Sequence, residues 1–114
     1  MYLSNIEKVK LEDVTMEGAS KVKIQWLINE QSGAPNFAMR LFTVDKGGHT
    51  PLHKHDFEHE ILVFSGKGIL VDGTGKEQTI EKGNFAYVPP NETHQFRNAG
   101  EDEFRFICLV PIKK

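Results

Sequence analysis

The chain has 114 residues, 39% of them hydrophobic and 26% charged, with ten glycines, five prolines and a formal net charge of −2. That is the size of one ordinary domain (1–114), able to bury a core without disulfide staples, and the composition is globular rather than disordered. The near-neutral charge argues against nucleic acid or anionic lipid as a partner, and no apolar run approaches the ~18 residues of a membrane-spanning helix.

Residues 1–20 are polar and weakly patterned, as an N-terminal arm or edge segment would be; they lack the apolar stretch of a signal peptide. With the single cysteine, Cys108, this points to a reducing, cytoplasmic location. From about residue 21 the chain reads as strand after strand. In the segment 21–28, Val22, Ile24 and Trp26 alternate onto one face, and 29–36 is a loop. Residues 37–45 are apolar on both faces, as in a strand covered on both sides, and Lys46-Gly47-Gly48 is expected to break them. Further strands are expected over 58–65, 69–73, 76–81, 84–89, 93–98 and 102–110, separated by Gly, Pro, Asn and Asp turns. Short strands punctuated this often predict an all-β sandwich or barrel.

Four of the five histidines can be placed on this map. His53 and His55 are two apart and point the same way on an extended chain, and His59 has the same parity. His94 opens the strand 93–98, which a barrel can bring alongside. Neutral imidazole is the commonest metal ligand, so four rings converging inside a barrel would form a divalent metal site. The plainer reading is a solvated polar loop. Against it, the cluster runs directly into the buried sequence Ile61-Leu62-Val63-Phe64, and burying unpartnered polar rings costs about 1–3 kcal/mol each. His49, in a glycine-led segment, reads as a solvated loop residue.

At this point the sequence resembles the cupin superfamily. The first cupin motif appears over about 47–66 as Gly47, five residues, His53, His55 and a closing Gly66. The second appears over about 83–98 as Gly83, five residues, Pro89, Asn91 in the place of a glycine, His94 and Asn98. Asn tolerates the left-handed backbone that the replaced glycine supplies. The resemblance implies a small jelly-roll β-barrel (a double-stranded β-helix), a metal inside and a homodimer outside.

The motif glutamate is where the count becomes ambiguous. Glu60 follows His55 after four intervening residues, as the family allows, but the six-residue spacing back from Gly66 selects His59. Adjacent strand residues face opposite ways, so both cannot point at one ion. The span from 59 to 66 lies within one strand and is rigid, which favours His59. The sequence also resembles small cupins with four histidine ligands. The expected ligands are therefore His53, His55, His59 and His94, with Glu60 as the alternative.

Four neutral imidazoles leave the ion's charge uncompensated, and an octahedral ion would keep open positions for water, substrate or dioxygen. Imidazole suits Zn, Cu, Fe and Ni by softness, while the resemblance implies Mn or Fe first. Affinity should fall with pH through about 6.5, where free imidazole protonates. By parity, Phe104, Phe106, Cys108 and Val110 line the barrel, Phe96 shares the inward face of His94, and Arg40 and Phe42 share a face of their strand. The expected pocket is thus Arg40, Phe42, Phe96, Phe106 and Cys108. Arg40 would hold a substrate carboxylate or enolate, or, as the commoner alternative, pair with an acid across a sheet or dimer interface. These residues suit a metal-dependent enzyme on a small organic substrate, with dioxygenase-like oxidation favoured and enolate-type isomerisation next. The alternative is a non-catalytic small-molecule or metal sensor.

Overall fold

The computed structural model describes residues 1–113. Among them, nine strands carry the chain: β1 (Glu12–Asp13), β2 (Ser20–Ile28), β3 (Phe37–His49), β4 (His59–Ser65), β5 (Lys67–Asp72), β6 (Glu77–Glu81), β7 (Phe85–Val88), β8 (His94–Asn98) and β9 (Phe104–Pro111). Among the described residues helix occurs only as single 3-10 turns at Ile6–Lys8 and Glu30–Ser32. All strand pairs are antiparallel, in the order β6-β5-β8-β3-β9-β4-β7, with β2 on the other edge of β3 and β1 beyond it. The sheet curls on itself as the all-β barrel expected from the strand pattern, in the jelly-roll form that the cupin resemblance implies.

β3 is the pivot of this curl. Residues Phe37 to Val44 pair with β9, while His49 at its far end pairs with Arg97 of β8. The expected break at Lys46-Gly47-Gly48 does not occur. Gly47, at φ 78°, and a register shift opposite it between Ser20 and Val22 bend the strand instead of ending it. His49 is accordingly a half-buried strand residue facing Ser20 and Arg97, not a solvated loop residue.

Gly66 is the single residue between β4 and β5, at φ 82°, and a Cβ there would stand 2.2 Å from the Glu103 carbonyl oxygen. Only glycine fits both constraints. Asn91 takes φ 66°, the left-handed turn position expected of it.

The inward face of β9 is as parity predicts: Phe104, Phe106, Cys108 and Val110 are buried. Phe106 stacks on Phe96 at 4.5 Å and on Phe42 at 5.2 Å. Phe104 and its cross-strand partner Val44 are fully buried and fill the end of the barrel that the cavity described below does not reach. The N-terminal arm adds edge strand β1 to β2. It also covers Gln25, whose buried amide donates to the carbonyls of Ile6 and Val9 at 2.9 Å.

Candidate metal centre

The connection 50–58 is sewn to β8. His53 N–H donates to the His94 carbonyl at 3.2 Å, His94 N–H returns to the His53 carbonyl at 2.9 Å, and Phe96 N–H donates to Thr50 Oγ1 at 2.9 Å. Asn91 N–H donates to the His55 carbonyl at 2.6 Å. These bonds hold a segment without strand neighbours of its own against the second motif. His59 enters from β4, buried, opposite Val88.

The four imidazoles converge. Ring centroids lie 4.3 Å apart for His53 and His55, 4.3 Å for His55 and His59, 5.2 Å for His53 and His94, and 5.2 Å for His59 and His94. His53, His55 and His94 offer ligand atoms all within 4.8 Å of one another; His59 is not one of that tight triad. Two members of the set are held from behind. His94 Nδ1 lies 2.9 Å from the Glu92 carbonyl, a contact that needs the proton on Nδ1 and leaves Nε2 basic. His59 Nδ1 lies 3.1 Å from Cys108 Sγ, which orients that ring from behind. His59 Nε2 and His55 Nδ1 are buried with no hydrogen-bond partner among the described residues, an arrangement that costs free energy unless something occupies the space between the rings.

Burial favours the neutral form of His53, His55 and His59. It pushes His59 down to about 3, with Arg40 and the neighbouring imidazoles adding to the effect, and His55 down to about 4, with His53 and His94 adding to it. His53 is lowered in the same way, by burial first and then by His94 and Arg40. For those three rings the proton competition expected at about pH 6.5 is moved to more acid solution.

The rings open on a cavity of about 800 Å³. Every pocket residue expected from the sequence lies on its wall: Arg40, Phe42, Phe96, Phe106 and Cys108. Arg40 does not meet an acid among the described residues, so the reading of an ion pair across the sheet is corrected. Its Nη2 donates to Cys108 Sγ at 2.9 Å, and its guanidinium carbon lies 5.0 Å from the Phe42 ring centre and 5.6 Å from that of Trp26. Glu60 is exposed, on the face of β4 opposite buried His59. Sequence reasoning missed Phe57, whose ring lies 4.6 Å from His55, and the arm residues Val14 and Met16 on the wall. Phe57 shares the parity of the histidines around it, which was the available signal. Nothing local marks the arm residues.

Comparison with known proteins agrees with this geometry. Residues 40–110 match the cupin domain family. The polyketide cyclase RemF from Streptomyces resistomycificus is 32% identical, with a TM-score of 0.94 over 99% of this chain and 80% of that one. Auxin-binding protein T85 of Nicotiana tabacum is 29% identical over 96% of this chain and 64% of its own length. The 1-methylthio-D-xylulose 5-phosphate methylsulfurylase of Rhodospirillum rubrum is 28% identical over 67% of this chain and 48% of its own. The chain therefore spans about half to two thirds of the length of these two curated relatives. From the two histidine motifs, the curled antiparallel sheet and these matches, the chain belongs to the cupin family.

Proposed function

We propose that this protein is a metal-dependent enzyme acting on a small, flat, oxygen-bearing organic substrate, with His53, His55, His59 and His94 holding one divalent transition ion. The observation that carries this reading is the convergence of four imidazoles beside an aromatic-walled cavity, with His59 Nε2 and His55 Nδ1 buried and unpartnered. The donor set fits an ion: burial favours the neutral form of His53, His55 and His59, and the Glu92 carbonyl behind His94 fixes a basic nitrogen on that ring. His59 is preferred to Glu60 because it is buried and Glu60 is exposed on the opposite face. Mn or Fe leads by family resemblance, while Zn, Ni and Cu also suit imidazole. When bound, the ion supplies Lewis-acid polarisation of a substrate oxygen. The protein's own part is to orient and enclose. The stacked rings of Phe42, Phe106 and Phe96 give a conjugated substrate a flat wall, and the barrel shields it from water.

Enolate-type chemistry, ring closure or isomerisation, is the first reading, supported by the likeness to a polyketide cyclase over nearly the whole chain. Oxygenation, favoured from the sequence, is second and is supported by the largely aromatic and aliphatic wall. A binding module without turnover is the alternative, supported by the likeness to an auxin-binding protein. The reading includes a cytoplasmic homodimer. On the outer face of β4 and β7, Leu62 and Phe85 stand in register at 46% and 84% exposure, beside Tyr87 at 57%, an apolar patch of the kind that marks interfaces.

Metal analysis tests the core of this reading. The purified protein should carry about one ion per chain and a His53→Ala/His55→Ala variant little; equally low content in both contradicts it. Incubating the loaded protein with diketones and catechols then separates the chemistries. Product without oxygen uptake supports enolate chemistry, oxygen uptake supports oxygenation, and binding without turnover supports the binding module.

A further inference from the structure

We propose that Arg40 is the specificity-determining residue of the cavity and that the ligand it selects is a planar, conjugated molecule bearing a carboxylate. This deepens, and rests on, the reading of the cavity as a substrate site.

Arg40 lies in the apolar middle of β3, between Trp26 on one neighbouring strand and Cys108 on the other. Its guanidinium is permanently charged and carries five N–H donors. Among the described residues its only hydrogen-bond acceptor is Cys108 Sγ, a weak one, and its Nε is buried with no partner. The ion pairs of the described residues, Lys46–Glu101, Arg97–Glu77 and Lys113–Asp56, do not involve it. Among the described residues no Asp or Glu lines the cavity, so none of them on the wall neutralises the charge. A half-buried cation left in this state is costly unless a ligand completes it.

The guanidinium is also pre-aimed. Sulfur holds one edge, and the rings of Trp26 and Phe42 flank it at 5.6 and 5.0 Å. The remaining donors suit the forked geometry of a carboxylate. The aromatic run from Phe42 through Phe106 to Phe96 offers the rest of the ligand a flat surface. A cavity of about 800 Å³ accommodates a fused-ring acid.

The test is calorimetric titration of 2-naphthoate against 2-naphthamide, the same shape without the charge, into metal-free and zinc-loaded protein. Emission of Trp26, the only tryptophan of the chain and a residue of the cavity wall, corrected for ligand absorption, locates the binding. The acid should bind the wild-type protein at least about tenfold more tightly than the amide in both metal states. Arg40→Gln should reduce that preference to within about twofold, and Arg40→Lys, which keeps charge but loses the fork, should fall between. Circular dichroism shows whether each variant is folded, and Arg40→Lys carries the test if Arg40→Gln is not. The proposal is overturned if the preference survives in a folded variant, or appears only with zinc, which would put the carboxylate on the ion. It is equally overturned if the wild-type protein discriminates less than twofold or binds no naphthoate up to about 10 mM. Because the metal-free arm reads Arg40 alone, a protein that takes up no zinc still tests this inference while contradicting the metal reading.

Discussion

Removing the metal and lowering the pH should unfold this protein earlier than a typical domain of its size. Burial holds His59 at about 3 and His55 at about 4 in the folded chain. In the unfolded chain both return to about 6.5. Below that value the unfolded state takes up protons that the folded state refuses, so stability rises with pH across the window and is lost on acidification. The loss stops only as the pH reaches the folded values. His55 and His59 together give a limiting slope of about 2.7 kcal/mol per pH unit, to which His53, lowered in the same way, adds. His55 is partly exposed, and solvent screening cuts its share, so we expect about 1.5–2 kcal/mol per unit between about pH 6 and 5. Against a total of about 5–15 kcal/mol, one to two pH units remove a large fraction. Asp56, held low by Lys113, and Asp72, held low by Thr74, add acid lability only below their ordinary value of 3.8, so the histidine window stands clear of them. Urea unfolding of chelator-treated protein at about pH 7, 6 and 5 measures the slope. A His55→Gln/His59→Gln variant should flatten it by about half or more, since His53 still contributes. A urea midpoint unchanged between about pH 7 and 5, or an equal slope in the double variant, refutes the reasoning.

Three further substitutions probe the scaffold and the back of the site. Gly66→Ala should cost about 2–4 kcal/mol, from a left-handed backbone plus a Cβ driven against the Glu103 carbonyl; a melting temperature within a degree or so of wild type contradicts it. Phe106→Ala should cost about 3 kcal/mol, the low end for a buried phenylalanine because one side already borders the cavity; denaturant midpoints check it, and a cost under about 1 kcal/mol is inconsistent with the stacked core. Cys108→Ala removes the contact shared by His59 and Arg40 and should weaken metal binding about 10–100-fold, with Cys108→Ser restoring part of it; an affinity within twofold of wild type removes Cys108 from the site's support.

What was legible in the sequence was local. Alternation within a strand gave the inward face of β9, the sharing of a face by Arg40 and Phe42, and the opposition of His59 to Glu60, because the two-residue period is a property of the chain itself. The turn chemistry of Asn91 was legible for the same reason. What was hidden depended on distant partners. β3 runs on through Lys46-Gly47-Gly48 because Ser20 and Arg97 pair with its end, which a glycine-based break could not foresee. Arg40 looked like half of an ion pair, since charges within apolar strands usually are; only the assembled barrel reveals sulfur and two aromatic rings around it. Val14 and Met16 reach the cavity through an arm with no periodic signal. The shift of the histidine protonation to lower pH likewise follows from tertiary burial, which no spacing encodes.

The central claim is that four histidines, and not the neighbouring glutamate, hold one divalent ion. Zinc isotherms of the wild-type protein beside His53→Ala, His55→Ala, His59→Ala, His94→Ala and Glu60→Gln test it most directly. The account predicts one site per chain, lost or weakened by at least about tenfold in each histidine variant and kept within about twofold in Glu60→Gln. Strong binding by His59→Ala together with loss in Glu60→Gln would contradict it.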